Sequence, residues 1–472
     1  YYSDQEWEGT LKKSTIDSAG NISSSIEWDA AEKLKIKGST NRKIWSVIPG
    51  TNYYPDYNNF VDSNAPIIKA ELFEKIGLSI TDYHNDSLTN KLTNGRCGDH
   101  GDNVPTVENG TMDDAAGLIN FIRGEDYFDY DGDCILDEDR DHMLADIYNS
   151  QIVIVGKPDA NVNYLSNKQE SYWRSLNNYA DGFKIPSSRT EVIYAGANNG
   201  IFHAFRADNG EELWGFVPPL IAGTKLPLTI NKSYNKGGVD GGGSNPIFAV
   251  DGSPVVHDVY MKGLNLSSPD SFESGNSWRT LLMIPYGRGG AGFSVLDVTI
   301  PETPLHLYSI LNDTNEGYVY HVDHKGNLNK YYHASTTYRI DEFIEIEAAI
   351  SGSTSYTGGT LTLPGNIDTS SAIEQKVYVD RELVCSSSCF TAAGPNTNVN
   401  IGGKIIEYES VDPISNSDVQ AIVVNEMEDA GKDYNYRYLA DTWSSPRIFR
   451  MPNDGSGDVV IEDDTYVAVM GG

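Results

Sequence analysis

No run of 18 or more apolar residues interrupts this 472-residue sequence, so no membrane-spanning helix is expected. Basic residues are scarce: 35 Lys and Arg stand against 67 Asp and Glu, a net charge of −32. Nucleic acid and anionic lipid both need a basic face, so neither is expected as a direct partner. The acidity favours cations and an extracellular life, or serves solubility alone. The sequence starts at Tyr1 with no charged-then-apolar leader, so any signal peptide is expected to have been removed. Catalytic signatures are missing as well. There is no G-x-S-x-G elbow, no H-E-x-x-H and no phosphate-binding glycine loop followed by a helix.

Cysteine is rare, with four residues: Cys97, Cys134, Cys385 and Cys389. Four cysteines allow three pairings. Cys385 and Cys389 read as a short local clip, and Cys97 could then bridge to Cys134. An even count fits an oxidising compartment. Zinc is the competing reading, although no second Cys or His pair stands at ligand spacing.

What is abundant points to β structure. Tyr is frequent, at 29 residues. The chain is organised around Val192 to Pro219, VIYAGANNGIFHAFRADNGEELWGFVPP. Its β-branched and aromatic runs predict three strands, with tight turns at Ala197–Gly200 and Ala207–Gly210. Alternation places Ile201, His203 and Phe205 on one face and Phe202, Ala204 and Arg206 on the other. With an upstream strand over Gln151–Val155 this makes a four-stranded antiparallel propeller blade. Irregular copies follow. A second unit opens at Gly252-Ser253-Pro254-Val255-Val256 and continues through Arg279–Pro285, the turn Gly287–Gly290, Gly292–Val298 and Pro304–Ile310. A third opens at Ser444–Ile448 and reaches Tyr466–Met470, which would leave an unpaired edge, so the chain reads as part of something longer.

Around these blades, Trp7–Leu11 and Ser23–Trp28 predict a hairpin, Trp28–Leu34 a short helix and Arg42–Val47 a strand. The Tyr-, Asn-, Asp- and Pro-rich stretch that follows reads as an irregular surface excursion. Residues 111–124 predict a helix capped by Thr111 and ended by Gly124. The layout expected is therefore a hairpin and helix joining the propeller over 1–60, an irregular segment with helix and acidic loop over 61–150, blades over 151–344, a small inserted β subdomain over 345–430 and the start of a further, truncated blade over 431–472.

The acidic loop, Asp129–Asp141, reads DYDGDCILDEDRD. Such crowding is self-repulsive unless a cation neutralises it. Asp129, Asp131, Asp133 and Asp137 stand at positions 1, 3, 5 and 9, as a calcium loop needs, and Ile135 could add its backbone carbonyl. Cys134 replaces the usual EF-hand glycine and Arg140 the bidentate Glu, so a shortened loop is the better template. Candidate catalytic residues fare poorly. In a strand Ser253 and His257 share a face that Asp258 opposes, and His203 sits between apolar residues.

Several of these pieces, in this order, make the chain resemble the PilY/PilC family of type IV pilus tip-associated adhesins and assembly factors. They are WEGTLKK, WDAAEKL, NRKIW, LINFIRGED, the acidic loop, VIYAGANNGIFHAF with ELWGFVPP, VDGSPVVHDV, GRGGAGFSVLDVTIPETP and TWSSPRI. The resemblance implies an all-β fold: a modified, quinoprotein-like β-propeller, about seven-bladed in full and incomplete here. It implies Ca2+ at Asp129, Asp131, Asp133, Ile135 and Asp137, with occupancy tied to pilus extension and retraction. It also implies secretion through the periplasm to the pilus tip, minor pilins or other tip proteins as partners, and adhesion to a host or abiotic surface. No Arg-Gly-Asp tripeptide is present; Arg123-Gly124-Glu125 is one methylene away. Two other readings compete. Gly200–Trp214 also resembles the repeat of quinoprotein dehydrogenases, but their vicinal cysteine pair is missing. An unrelated secreted, lectin-like propeller is the other.

Overall fold

The computed structural model describes residues 8–77, 112–126, 138–158, 163–176 apart from 167 and 168, 183, 189–229, 245–314 apart from 266 and 267, and 318–332. Beyond these it describes the strands between 343 and 426, residue 436, and residues 439–451 and 465–471. The chain divides into two compact units: 1–311 with 322–328 and 439–472, and 312–321 with 329–438.

In the first unit, β1 (Lys12–Ile16) and β2 (Ile22–Asp29) form a hairpin. The first strand starts one residue after Leu11, Trp7 lies outside the described residues, and Trp28 falls in the second strand instead of opening the helix. Asp29 explains this boundary: its carboxylate accepts from the Ala31 N–H at 3.0 Å and caps the helix Ala30–Lys37. Trp28 is core, lying against Gly210 so closely that a Cβ there would sit 2.5 Å from its ring. Leu11, Ala30, Leu34, Met143, Ile193 and Phe205 surround it.

β3 (Ile44–Trp45) is shorter than the sequence predicts. The aromatic stretch behind it is not a surface excursion. Tyr53 stacks on Trp45 at 4.6 Å, Tyr57 meets it edge-on at 5.6 Å, and Phe60 is fully buried. Aromatic side chains bury large area, and here they outweigh the polar neighbours that suggested solvent. An additional helix follows, Ala65–Ile68 continued by a π-turn over Lys69–Glu74, which buries Ile68, Leu72 and Phe73. Pro66 at its first turn is the signal for it.

The first blade combines β4 (Val153–Val155), β5 (Val192–Gly196), β6 (Phe202–Arg206) and β7 (Glu212–Phe216), with β3 added parallel to β7. Both faces of β5 and β6 are buried, so neighbouring elements cover the sheet on each side. Gly200 closes the β5–β6 turn at φ +90°, where a Cβ would also strike Leu226. The second blade begins with β8 (Val255–Met261). A small excursion, β9 (Leu264–Asn265) and β10 (Ser268–Phe272), leads to β11 (Ser277–Pro285), β12 (Gly292–Asp297) and β13 (Leu305–Asp313), which lie in the order β13-β12-β11-β8.

One device recurs between blades. The segment leading into β8 docks on the first blade's turn, where Ala249 N–H donates to Asn198 Oδ1 at 3.3 Å. The segment leading into strand Arg447–Met451 docks likewise on the second blade's turn. The Thr442 hydroxyl there accepts from Tyr286 and Gly287 N–H and donates to the Gly292 carbonyl. Arg447–Met451 pairs antiparallel with Thr465–Val469 and begins a third unit. This repetition of antiparallel sheets defines an all-β propeller, which is not closed among the described residues.

In the second unit, strands Phe343–Ile350, Ser417–Glu426, Glu374–Val379 and Glu382–Cys385 form one sheet in that order. Ser355–Thr357 pairs with Ile405–Glu407, and Thr360–Thr362 with Asn398–Asn400. Cys97, Cys134 and Cys389 lie outside the described residues.

Candidate functional site

The five expected calcium ligands, Asp129, Asp131, Asp133, Ile135 and Asp137, lie outside the described residues. What the structure defines is the frame that presents them. The helix Met112–Arg123 buries Leu118, Phe121 and Ile122 and stops at Gly124, φ +125°. A Cβ on Gly124 would sit 2.7 Å from Met143 Sδ, so this position tolerates no side chain. The chain then forms a two-residue ladder with itself. Asp126 N–H donates to the Glu138 carbonyl and Arg140 N–H to the Gly124 carbonyl, each at 2.8 Å. Residues 127–137 therefore leave and return through one hydrogen-bonded neck.

The charged residues after the loop have work elsewhere. Asp139 accepts from Ser39 N–H at 2.9 Å, and Asp141 pairs with Lys35 at 2.7 Å on the surface. Arg140 lies 4.1 Å over the Phe121 ring and donates to its carbonyl. The oxygen donors expected of the loop are Asp129, Asp131, Asp133, Asp137 and the Ile135 carbonyl, with Cys134 standing among them. That set fits a hard cation such as calcium and not a thiolate-seeking one.

Arg123, at the helix end, fastens the neck to the blade. Its guanidinium donates to Asn58 Oδ1, Phe60 O, Ser39 O and Arg42 O, at 2.9 to 3.1 Å. Burial, and then the nearby Arg42, pull its pKa down to about 10, so it stays charged at neutral pH. Arg42 in turn donates to the Arg123 carbonyl at 2.6 Å and grips Glu212 with two parallel hydrogen bonds, 2.9 and 2.8 Å. Both side chains of that pair are fully buried. Glu212 Oε1 also lies 2.8 Å from His203 Nδ1.

Burial alone would raise the Glu212 pKa. The Arg42 guanidinium and the His203 N–H outweigh it and hold the carboxyl far below the usual range. Burial pushes His203 down despite this carboxylate, so the imidazole is neutral and donates from Nδ1. Its Nε2 has no hydrogen-bond partner among the described residues, which a neutral ring tolerates and a charged one would not. His203 is thus neither a base nor a surface residue. It is the last member of a buried pillar that runs from the loop neck into β6.

Ser253 lies before β8, and Ser253, His257 and Asp258 each have different partners. The Ser253 hydroxyl donates to Asn149 O and accepts from Gln151 N–H. His257 pairs with Glu170 at 2.6 Å, and Asp258 accepts from the Thr280 hydroxyl at 2.7 Å. Burial pushes Asp258 up to about 6. No Ser–His relay forms among them. Gly287–Gly290 is a turn, as expected, with Gly287 and Gly290 at φ +58° and +145°.

Repeated antiparallel blades stitched by their lead-in segments make this chain a β-propeller. Residues 144–328 match the family model described as the PilY1 beta-propeller domain. That part of the chain is thus similar to PilY1 propellers; the matched span begins after the acidic loop. Among relatives, it is 30% identical over 162 residues to a type IV pilus biogenesis factor PilY1 homolog of Xylella fastidiosa, covering 34% of this chain and 11% of that protein. It is 25% identical over 323 residues to the type IV pilus biogenesis factor PilY1 of Pseudomonas aeruginosa strain UCBPP-PA14, covering 68% and 23%. Against PilY1 of P. aeruginosa strain PAO1 it is 32% identical over 171 residues, covering 36% and 12%. The chain thus spans under a quarter of the length of these relatives. No solved structure matches.

Proposed function

We propose that this chain is a calcium-responsive, non-catalytic propeller of a type IV pilus-associated protein. It acts in pilus biogenesis, in the control of extension and retraction, and in surface adhesion. The pilus assignment is supported by the similarity of residues 144–328 to PilY1 propellers and by relatives that are type IV pilus biogenesis factors. The calcium part is carried by one observation: a carboxylate-rich loop whose two ends are tied at a single neck and braced to a blade by Arg123. The protein is exported through the periplasm to the cell surface and the pilus tip. Its partners are minor pilins or other tip proteins, and a host or abiotic surface.

Ion binding would neutralise four crowded carboxylates, and Arg123 would pass that change to Arg42 and Glu212. A switch of this kind requires different calcium affinities in its two states; equal affinity shifts nothing. The test is a chromosomal double substitution, Asp129→Ala with Asp133→Ala. Pilus number and twitching motility are expected to change while protein abundance holds. Normal pili and motility at normal abundance would leave the loop without a regulatory role.

A further inference from the structure

Strand β4 ends its sheet: it pairs with β5 through Val153–Tyr194, Ile154–Ile193 and Val155–Val192, and among the described residues nothing pairs with its other edge. In an antiparallel pair, alternate residues turn both N–H and C=O away from the partner. An unpaired edge is therefore a template for another strand. Ile154 on it and Ile152 just before it are 57% and 47% exposed. The edge opens on a cleft lined by residues 153–158, Arg174, Arg189, Val256, His257 and Asp258.

The lining of the cleft is richer in cations than the chain as a whole, although Glu191 stands beside Gly156 at its wall. Lys157, Arg174 and Arg189 line it with a single carboxylate, Asp258. The neighbouring Glu170 is paired with His257 and Arg174. Arg189 is set in place by donating Nε to the Gly156 carbonyl at 2.6 Å and Nη1 to the Thr280 hydroxyl at 2.7 Å. Its remaining Nη2 and the exposed Lys157 ammonium have no partner among the described residues. A protein with 67 acidic and 35 basic residues has thus concentrated cations beside its open strand edge.

We propose that the β4 edge is a docking site for an extended, acidic peptide segment of a partner protein. Main-chain hydrogen bonds to β4 would supply the pairing, and acidic side chains on one face of the added strand would meet Lys157, Arg174 and Arg189. Charge complementarity of this kind sets register and partner choice. The site uses no residue of the acidic loop, so it stands apart from the calcium reading.

The test uses the full chain and a fluorescein-labelled, capped hexapeptide alternating valine and aspartate, followed by fluorescence polarisation. Saturable binding is expected, with a valine–lysine peptide failing to bind. Lys157→Glu and Ile154→Glu should each weaken binding by about tenfold or more, since both place a like charge against the peptide. Both positions are exposed, and unchanged melting temperatures would confirm intact folding. Absence of saturable binding, or binding indifferent to both substitutions, would overturn the proposal. So would displacement by millimolar inorganic phosphate, which marks a small-anion pocket. Equal binding of galacturonate oligomers, which cannot pair with a strand, would overturn it too.

Discussion

Two clusters in this chain are built from the same three residue types, and burial separates what they do. Arg42, Glu212 and His203 are wholly buried, and their charges are matched at 2.8 to 2.9 Å. Arg174, Glu170 and His257 keep 18 to 23% of their side-chain surface and stand beside an open cleft. In the first cluster every hydrogen bond replaces lost water, so removing one member strands a charge. In the second, water can replace a missing partner. Identical chemistry is a brace in one place and a surface in the other.

The sharpest way to break this comparison is Arg42→Met, which leaves Glu212 buried without its cation. It should cost about 3–5 kcal/mol in denaturant unfolding. A loss below about 1 kcal/mol would mean that the pillar is not structural. Next is the ion. At calcium about a hundredfold above its dissociation constant, binding to the folded state alone contributes roughly 2.7 kcal/mol. Chelator should lower the melting temperature of the native protein and leave that of the Asp129→Ala, Asp133→Ala variant unmoved.

The third prediction concerns Asp258, which burial raises to about 6. A carboxyl whose pKa is higher folded than unfolded holds its proton more tightly in the native state. Stability is therefore lost as pH rises from about 4 through about 6. Asp258→Asn keeps an acceptor for the Thr280 hydroxyl and should abolish that loss, worth about 2 kcal/mol after allowance for solvent at the cleft. Parallel pH profiles for the two proteins would refute it. The smallest effect belongs to the half-exposed cluster. Glu170→Gln should cost about 1 kcal/mol or less, clearly below the Arg42 substitution. Equal costs would erase the distinction between the two clusters.

The blades were legible because strand alternation and Asn-Gly turns are local signals. The strands around Val192–Phe216 and Arg279–Ile310 lie within a few residues of where the sequence places them. The pillar was not legible, and a bulge is the reason. Register slips between Ala204 and Phe205, which pair with Trp214 and Glu212, so Leu213 is extra. Strict alternation would give Leu213 the face that the bulge gives to Glu212, opposite Phe205 and near His203. A histidine flanked by apolar strand residues was the only local hint. Tyr53 and Tyr57 differ from the expectation for a similar reason: composition marks their segment as polar, but the Trp45 they pack on is held by Trp214 and Phe216, far away in sequence. The acidic loop was the clearest chemical signal, because its spacing is a local property, and the structure adds the neck and the brace that spacing alone cannot show.

Calcium titration calorimetry on the intact chain, beside the Asp129→Ala, Asp133→Ala variant, tests the account most directly. One saturable calcium per chain is predicted for the native protein, and none at this site for the variant. No binding heat in the native protein, or the same isotherm for both, would contradict the calcium-binding propeller.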